Sequence, residues 1–403
     1  MASCPGCDAL VTGIQTLAGK KIVLAVTGSI ASVECVHLAH SLRRKGAEVQ
    51  GVMSGAACGI IHPDALTYAT GRPAITSISG MVEHVAMCGE GGWADLLLIA
   101  PCTANTLCKM AGGIDDTPVT TFATTAIGRG MPVIVSPAMH HSMYRHPGVT
   151  GCIRTLREWG VQVIGPRIEE GKAKIASTDQ IVLACERELL ERPLAGRHVL
   201  ITSGPCREPL DDVRVLTTRS TGQMGQALAH AAFRLGAEVT VIHSSEIPCV
   251  RNVPAETAGE MREALHRICA SERVDLYISA AAISDFAPER RPGKIPSGQK
   301  EIIGLVPLPK LISLVAEEYR IPAVAFKLGD DAEERAKTML GSGIFLVVSN
   351  GPESMGSAES RVVVLGDDIR REFSGSKEDV AMDICRLIAQ ESDRWNRLDS
   401  NSW

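Results

Sequence analysis

The sequence predicts an α/β protein of two Rossmann-like domains, each a mostly parallel sheet flanked by helices. Three observations carry that reading. Unbroken apolar runs such as Ile22–Val26 and Val199–Ile201 suit strands covered on both faces, as parallel strands are. The segments between such runs place apolar residues at helical spacing. A strand–turn–helix–strand unit also occurs twice. Leu38-Ala39-His40 precedes Gly46-Ala47-Glu48-Val49 in the first half, and Leu228-Ala229-His230 precedes Gly236-Ala237-Glu238-Val239 at the same spacing in the second.

Taken in order, residues 1–18 read as a peripheral tail. The first domain, residues 19–190, opens with KKIVLAV, turns at Thr27-Gly28-Ser29 into a helix, and returns as a second strand through Met53. Further strands are expected at Leu96–Ala100 and Val133–Ser136. The charged helix ERELLERPLAGR then gives way to a new strand, which sets the second domain at residues 191–403. Its later strands are expected at Asp275–Ala281, Ala323–Phe326 and Phe345–Ser349, and the polar end SDRWNRLDSNSW reads as frayed.

The 403 residues are 45% hydrophobic and 22% charged, and 41 basic against 46 acidic residues leave a net charge of -5. A mildly acidic chain without a basic block is not expected to bind nucleic acid. No apolar run is long enough for a membrane helix, and Met1-Ala2-Ser3-Cys4 lacks the start of a signal peptide. A cytoplasmic protein is expected. Its 13 cysteines are an odd number and mostly sit in apolar stretches, so they read as reduced, buried thiols. Cys4 and Cys7 form a lone C-x-x-C with no second pair to complete a zinc site.

Candidate binding loops fall at strand ends, where open α/β sheets bind ligands. Thr27-Gly28-Ser29-Ile30-Ala31 turns directly into a helix, where small residues let backbone N–H groups and the Ser29 hydroxyl approach a phosphate. Any tight turn of this kind favours glycine, so the loop means little alone. Ser54 follows the second strand, Pro101-Cys102-Thr103-Ala104-Asn105-Thr106 the third, and Pro137-Ala138-Met139-His140 a later one.

Together these loops resemble the homo-oligomeric flavin-containing Cys decarboxylase family, and within it the phosphopantothenoylcysteine decarboxylases. The shared motifs are a G-S-I-A turn, a P-x-T/S-A-N-T loop and P-A-M-N-x-x-M, over about 170 residues. The resemblance implies a flavodoxin-like fold and FMN held by Gly28, Ser29, Ile30, Ser54, Thr103, Ala104, Asn105 and Thr106. It makes His84, ahead of Trp93-Ala94-Asp95, and His140 catalytic, and sets Met139 against substrate. The implied flavin chemistry oxidises the substrate's cysteine thiol, so that the adjacent carboxylate leaves as CO2. Two positions depart from the pattern. The motif's Asn is His140, and the lid stretch Ile168–Lys174 has no Cys to protonate the product. Both features look like the archaeal branch of the family. Cationic His140, a lid lysine (Lys172 or Lys174) and water are the alternatives for the acid.

In the second half, Gly204-Pro205-Cys206-Arg207-Glu208-Pro209 and Arg214 precede Ser220-Thr221-Gly222-Gln223-Met224-Gly225, which opens a helix. Arg207 and Arg214 are candidates for pairing with phosphate or carboxylate. Ala282-Ile283-Ser284-Asp285 ends a strand, and Gly293-Lys294-Ile295-Pro296-Ser297 follows. An Asp and a Lys there suit Mg2+ and a phosphate contact.

The order GP-x-REPLD, S-x-G-x-MG, AA-x-SDF, GKI, PK, AFK resembles phosphopantothenate–cysteine ligase. Fusion of the two halves is the arrangement of the bifunctional coenzyme A biosynthesis family. The resemblance implies that CTP activates 4'-phosphopantothenate as an acyl-cytidylate, from which cysteine displaces CMP. Nucleotide contacts then fall on Gly204, Ser220, Gly222, Ala282, Asp285, Lys294, Pro309, Lys310, Leu311, Ile312 and Phe326. Arg207, Arg214 and Thr218 would meet substrate, Asp285 Mg2+, and Lys294 the attacked phosphate. The motif's Asn is Thr218 here and its Lys is Gln223. A homo-oligomer of trimeric flavin domains and dimeric ligase domains is also implied. Two other readings stay open: a degenerate FMN-binding assembly module beside an active ligase, or a flavin prenyltransferase-like first half.

Overall fold

The computed structural model describes residues 14–169, 172–296, 298, 301–329, 332–351, 357 and 359–392. Cys4, Cys7, Ser297 and the end from residue 393 lie outside the described residues. The chain forms two units, Met1–Leu190 and Glu191–Trp403.

The first unit has strands β1 (Lys21–Val26), β2 (Glu48–Met53), β3 (Leu96–Cys102), β4 (Val133–Pro137), β5 (Met139–His140), β6 (Gln162–Val163), β7 (Arg167–Glu169) and β8 (Lys172–Lys174). Five of them form a parallel sheet in the order β2-β1-β3-β4-β6. Successive residues of a strand face opposite layers, and the core shows it. Ile22, Leu24 and Val26 pack with Leu38 and Leu42 of helix Cys35–Arg44 and with Ile181 of helix Thr178–Leu189. Val23 and Ala25 pack with Leu107 of helix Ala104–Ala111 and Phe122 of helix Pro118–Arg129. Each large apolar side chain removed from water contributes about 1.5–3 kcal/mol. The helices after β1 and β3 thus cover opposite faces, which makes the β1/β3 junction the switch point of a flavodoxin-like order. β3 runs to Cys102, past the expected Ala100, because Cys102 still pairs with Pro137 at the end of β4. β5, β8 and β7 form a small antiparallel sheet over that end of the unit.

The second unit has β9 (His198–Thr202), β10 (Arg207–Pro209), β11 (Val215–Thr217), β12 (Glu238–His243), β13 (Arg251–Pro254), β14 (Leu276–Ser279), β15 (Phe286–Pro288), β16 (Leu305–Pro307), β17 (Ala323–Leu328), β18 (Ile344–Asn350), β19 (Glu359–Gly366) and β20 (Ile369–Ser376). Eight strands form one sheet, β13-β12-β9-β14-β17-β18-β19-β20, parallel up to β18 and antiparallel beyond it. β14 is shorter than the expected Asp275–Ala281. The Asp275 carboxylate accepts the His198 N–H at 2.8 Å, and Ala282 turns away to bridge Pro205. The β19–β20 hairpin is not among the expected strands. β20 reads IRREFSGS, with no apolar run to mark it. Helices Gln223–Arg234 and Lys377–Gln390 lie side by side, with the Cys385 thiol against the Leu228 carbonyl at 3.8 Å. Among the described residues no helix is long and apolar enough to cross a membrane.

Candidate functional site

In the first unit, three strand-end hydroxyls cap the segments that follow. Ser29 accepts from Ala31 N–H at 3.4 Å, Ser54 from Ala57 N–H at 3.3 Å, and Thr103 from Thr106 N–H at 3.3 Å. A capping oxygen uses a lone pair and keeps its own proton. The Ser29 and Ser54 hydroxyls therefore remain donors at the strand ends. Gly28 is required by close approach, since a Cβ there would lie 2.5 Å from the Ala56 Cβ. Ile30, beside it, exposes 78% of its surface.

A cavity of about 690 Å³ opens at the same end. It brings together Ser29, Ile30, Met139 and His140, with Glu34, Cys35, Arg167 and Lys174 added by the structure. Gly28, Ser54, Thr103, Ala104, Asn105, Thr106 and His84 are not in its wall. His84 lies on the short helix Glu83–Cys88, entered through Val82 at φ 47°, a left-handed conformation that strains a β-branched residue. Its Nδ1 is buried without a partner among the described residues.

β8 pairs with β5 so that His140 faces Lys172 and Met139 faces Ala173. The expected lid is therefore a strand laid on the P-A-M-H motif, with Glu170 and Gly171 outside the described residues. His140 Nδ1 accepts from Ser142 N–H at 3.3 Å and lies 2.8 Å from the Ser142 hydroxyl, capping helix His141–Tyr144. Cys35 borders the cavity too, but its thiol donates to the Ala100 carbonyl at 3.1 Å, and burial pushes it far up. That thiol stays protonated and engaged.

In the second unit a cavity of about 430 Å³ collects Thr218, Ser220, Gly222, Ala282, Asp285, Pro309, Lys310, Leu311, Ile312 and Phe326. These come from the ends of β14 and β17, from the loop before helix Gln223–Arg234, and from the segment after β16 that opens the short helix Leu311–Ser313. Gly222, at φ 75°, starts that helix without a side-chain cap. Gly225 in its first turn has no room for a Cβ, which would sit 2.1 Å from the Ser203 hydroxyl at the end of β9. The Thr218 hydroxyl donates to the Ala282 carbonyl at 3.4 Å.

Gly204, Arg207, Arg214 and Lys294 are not in this wall. Arg214 is engaged with the Asp211 carboxylate at 3.1 Å and the Ile295 carbonyl at 3.2 Å. Asp211 also accepts from Val213, Arg214 and Ile295 N–H groups, and Asp212 accepts from Gly293 N–H at 3.0 Å. The two carboxylates thus pin both neighbours of exposed Lys294. Among the described residues no cluster of three or more His, Cys, Asp or Glu forms a metal cage. Among the described residues Asp285 is the one carboxylate lining the cavity, which fits Mg2+ that takes its remaining ligands from phosphate and water.

Motif reading missed Ser360, Asn350 and Lys377, which also line the second cavity. Ser360 and Lys377 belong to the unforeseen hairpin and the helix after it. The pair of apolar and mixed runs flanking Asp367-Asp368 was the available signal for that hairpin.

Comparison with known proteins agrees with two units of different kinds. Residues 12–190 match the family described as Flavoprotein, and residues 194–391 the family described as DNA/pantothenate metabolism flavoprotein C-terminal domain. The coenzyme A biosynthesis bifunctional protein CoaBC of Thermococcus kodakarensis is 45% identical over 374 residues, covering 90% of this chain and 93% of that protein. Its namesake from Vibrio vulnificus is 36% identical over 320 residues, covering 75% and 78%. That of Bacillus subtilis is 32% identical over 405 residues, covering 93% and 97%.

Proposed function

Since the chain belongs to the coenzyme A biosynthesis bifunctional proteins, we propose that residues 19–190 hold FMN and residues 191–403 hold CTP with Mg2+. The chain is an enzyme of both kinds. It joins 4'-phosphopantothenate to cysteine and decarboxylates the 4'-phosphopantothenoylcysteine formed to 4'-phosphopantetheine.

The observation that carries the cofactor reading is the set of strand-end donors around the first switch point. Ser29 and Ser54 keep hydroxyl protons for a phosphate, Gly28 leaves the turn narrow, and buried His84 Nδ1 lacks a partner among the described residues. Such a set fits a flavin phosphate and a polar ring edge. FMN supplies the two-electron oxidation and its reversal at the cysteine-derived thiol. His140, whose Nδ1 caps the helix that follows, positions substrate, and Lys174 lines the same cavity.

In the second cavity, Asp285 supplies the carboxylate for Mg2+, and Lys310 and Phe326 line the nucleotide space. Thr218 contributes one hydroxyl where an amide would give a donor and an acceptor. Lys294, exposed on its pinned loop, meets the attacked phosphate. A cytoplasmic homo-oligomer, with trimeric flavin units and dimeric ligase units, completes the reading.

The purified full chain tests it. A flavin spectrum is expected, and 4'-phosphopantothenate, cysteine and CTP should give CMP and CO2. A colourless protein that takes up no added FMN overturns the first half, and absence of CMP overturns the second.

A further inference from the structure

We propose that Lys377, with Ser360 beside it, forms a binding corner for the outer phosphates of the nucleotide in the second cavity. The inference rests on the nucleotide reading of that cavity and adds residues that no motif in the sequence supplied.

Among the described residues four charged side chains line the cavity, Lys310, Lys327 and Lys377 against the carboxylate of Asp285. The balance favours an anion. Lys377 is the one held at the head of helix Gln223–Arg234, where its ammonium donates to the Gln223 amide oxygen at 3.0 Å. An ammonium has three donors, and the amide takes one. The helix itself begins at Gly222 with no side-chain cap, so its first N–H groups face the same corner with their partial positive charge.

A second observation is independent of the helix. Ser360 is 5% exposed, lines the cavity, and has a buried hydroxyl without a hydrogen-bond partner among the described residues. Such a group is costly unless something occupies the space before it. The β19–β20 register sets Ser360 opposite Gly375, close in sequence to Lys377. Burial also holds the Lys377 ammonium below the ordinary lysine range, and an arriving anion offsets that cost.

A phosphate from either substrate would suit this chemistry. The nucleotide is favoured because Asp285 shares the cavity, and a lone carboxylate holds Mg2+ only together with phosphate oxygens.

Calorimetric titration of the full chain with CTP, CMP and 4'-phosphopantothenate, in Mg2+, tests the assignment. Lys377→Met should weaken CTP about tenfold, the usual scale for one charge-assisted hydrogen bond, and leave CMP and 4'-phosphopantothenate unchanged. Lys377→Arg should retain most of the affinity. Gln223→Lys should restore it in the Lys377→Met background, because the new ammonium falls in the same corner. Unchanged CTP affinity in Lys377→Met overturns the proposal. So does equal loss of CTP and CMP, or a loss confined to 4'-phosphopantothenate. Wild-type protein that binds no CTP overturns the nucleotide reading itself, a different result from an unaffected variant. Ser360→Ala removes only the unpartnered hydroxyl and covers the case in which Lys377→Met does not fold. It should weaken CTP by about threefold, and no change there also overturns the proposal.

Discussion

Thr27 and Thr103 are tied together across the switch point of the first sheet. The Thr27 hydroxyl accepts from Thr103 N–H at 3.0 Å and donates to the Pro101 carbonyl at 2.7 Å. One buried side chain thus fixes the distance between the two loops that flank the crevice. Thr27→Val keeps the volume and leaves the Thr103 N–H without its partner. The expected cost is about 1–3 kcal/mol, a drop of several degrees in the melting of a unit this size. Thermal unfolding checks the stability, and the flavin-to-protein absorbance ratio should fall with it.

Gly28→Ala tests the same crevice from the other side. The added methyl would overlap the Ala56 Cβ, so β1 and helix Gly55–Cys58 must separate. Ser54, which caps that helix, moves with it. The variant is expected to purify with little flavin while its ligase activity stays near wild type. Full flavin content in Gly28→Ala would show that this turn does not bear on the cofactor.

The central strands were legible because parallel strands covered on both faces need apolar residues at every position, as β3 shows. The repeated unit was legible for the same reason. The hairpin β19–β20 was not, because one face of β20 meets solvent and its Arg370, Arg371 and Glu372 break any apolar run. The site divides likewise. Residues in strand-end motifs, such as Ser29 and Asp285, announce themselves through the turn chemistry around them. Lys377 reaches Gln223 across 154 residues of chain, a contact made only by packing two helices together, and no local pattern encodes it.

Asp211 sets a pH dependence for the loop that carries Lys294. Burial alone would raise its carboxyl, but N–H groups of Ile295, Val213 and Arg214, with the Arg214 charge, outweigh burial and hold it below the usual range. A carboxyl lowered by folding stabilises the fold fully above its unfolded value, about pH 4, and that contribution drains as pH falls further. Acid unfolding of the second unit should therefore begin below about pH 4. Asp211→Asn should lower stability at neutral pH and flatten that acid limb. An unaltered limb in Asp211→Asn would place the dependence elsewhere.

Lys294 itself lies outside the cavity wall, on the loop that Asp211 and Asp212 hold. Lys294→Gln is expected to abolish diphosphate release from CTP and to leave decarboxylation of supplied 4'-phosphopantothenoylcysteine intact. The two reactions belong to separate units with separate cavities, so the effects should not couple. Equal loss of both activities would argue for one shared site.

His140 offers a test of how the first unit handles protons. A ring nitrogen that accepts from the Ser142 N–H carries a lone pair, so the neutral ring holds its proton on Nε2. The cap ties His140 to the helix that follows and suits a residue that positions substrate, with the acid left to another group such as Lys174 or water. Asn is among the best capping residues and also offers a neutral N–H donor. His140→Asn should therefore keep the cap, reduce its flavin with substrate, and turn over within a few-fold of wild type. His140→Ala should lose about 1 kcal/mol of stability with the cap, and substrate binding should weaken with it. If His140 were the acid, His140→Asn would still reduce its flavin but stall at the oxidised ene-thiol product. Rapid-mixing absorbance separates the outcomes: flavin reoxidation at near-normal rate supports the positioning role, and persistent reduced flavin overturns it.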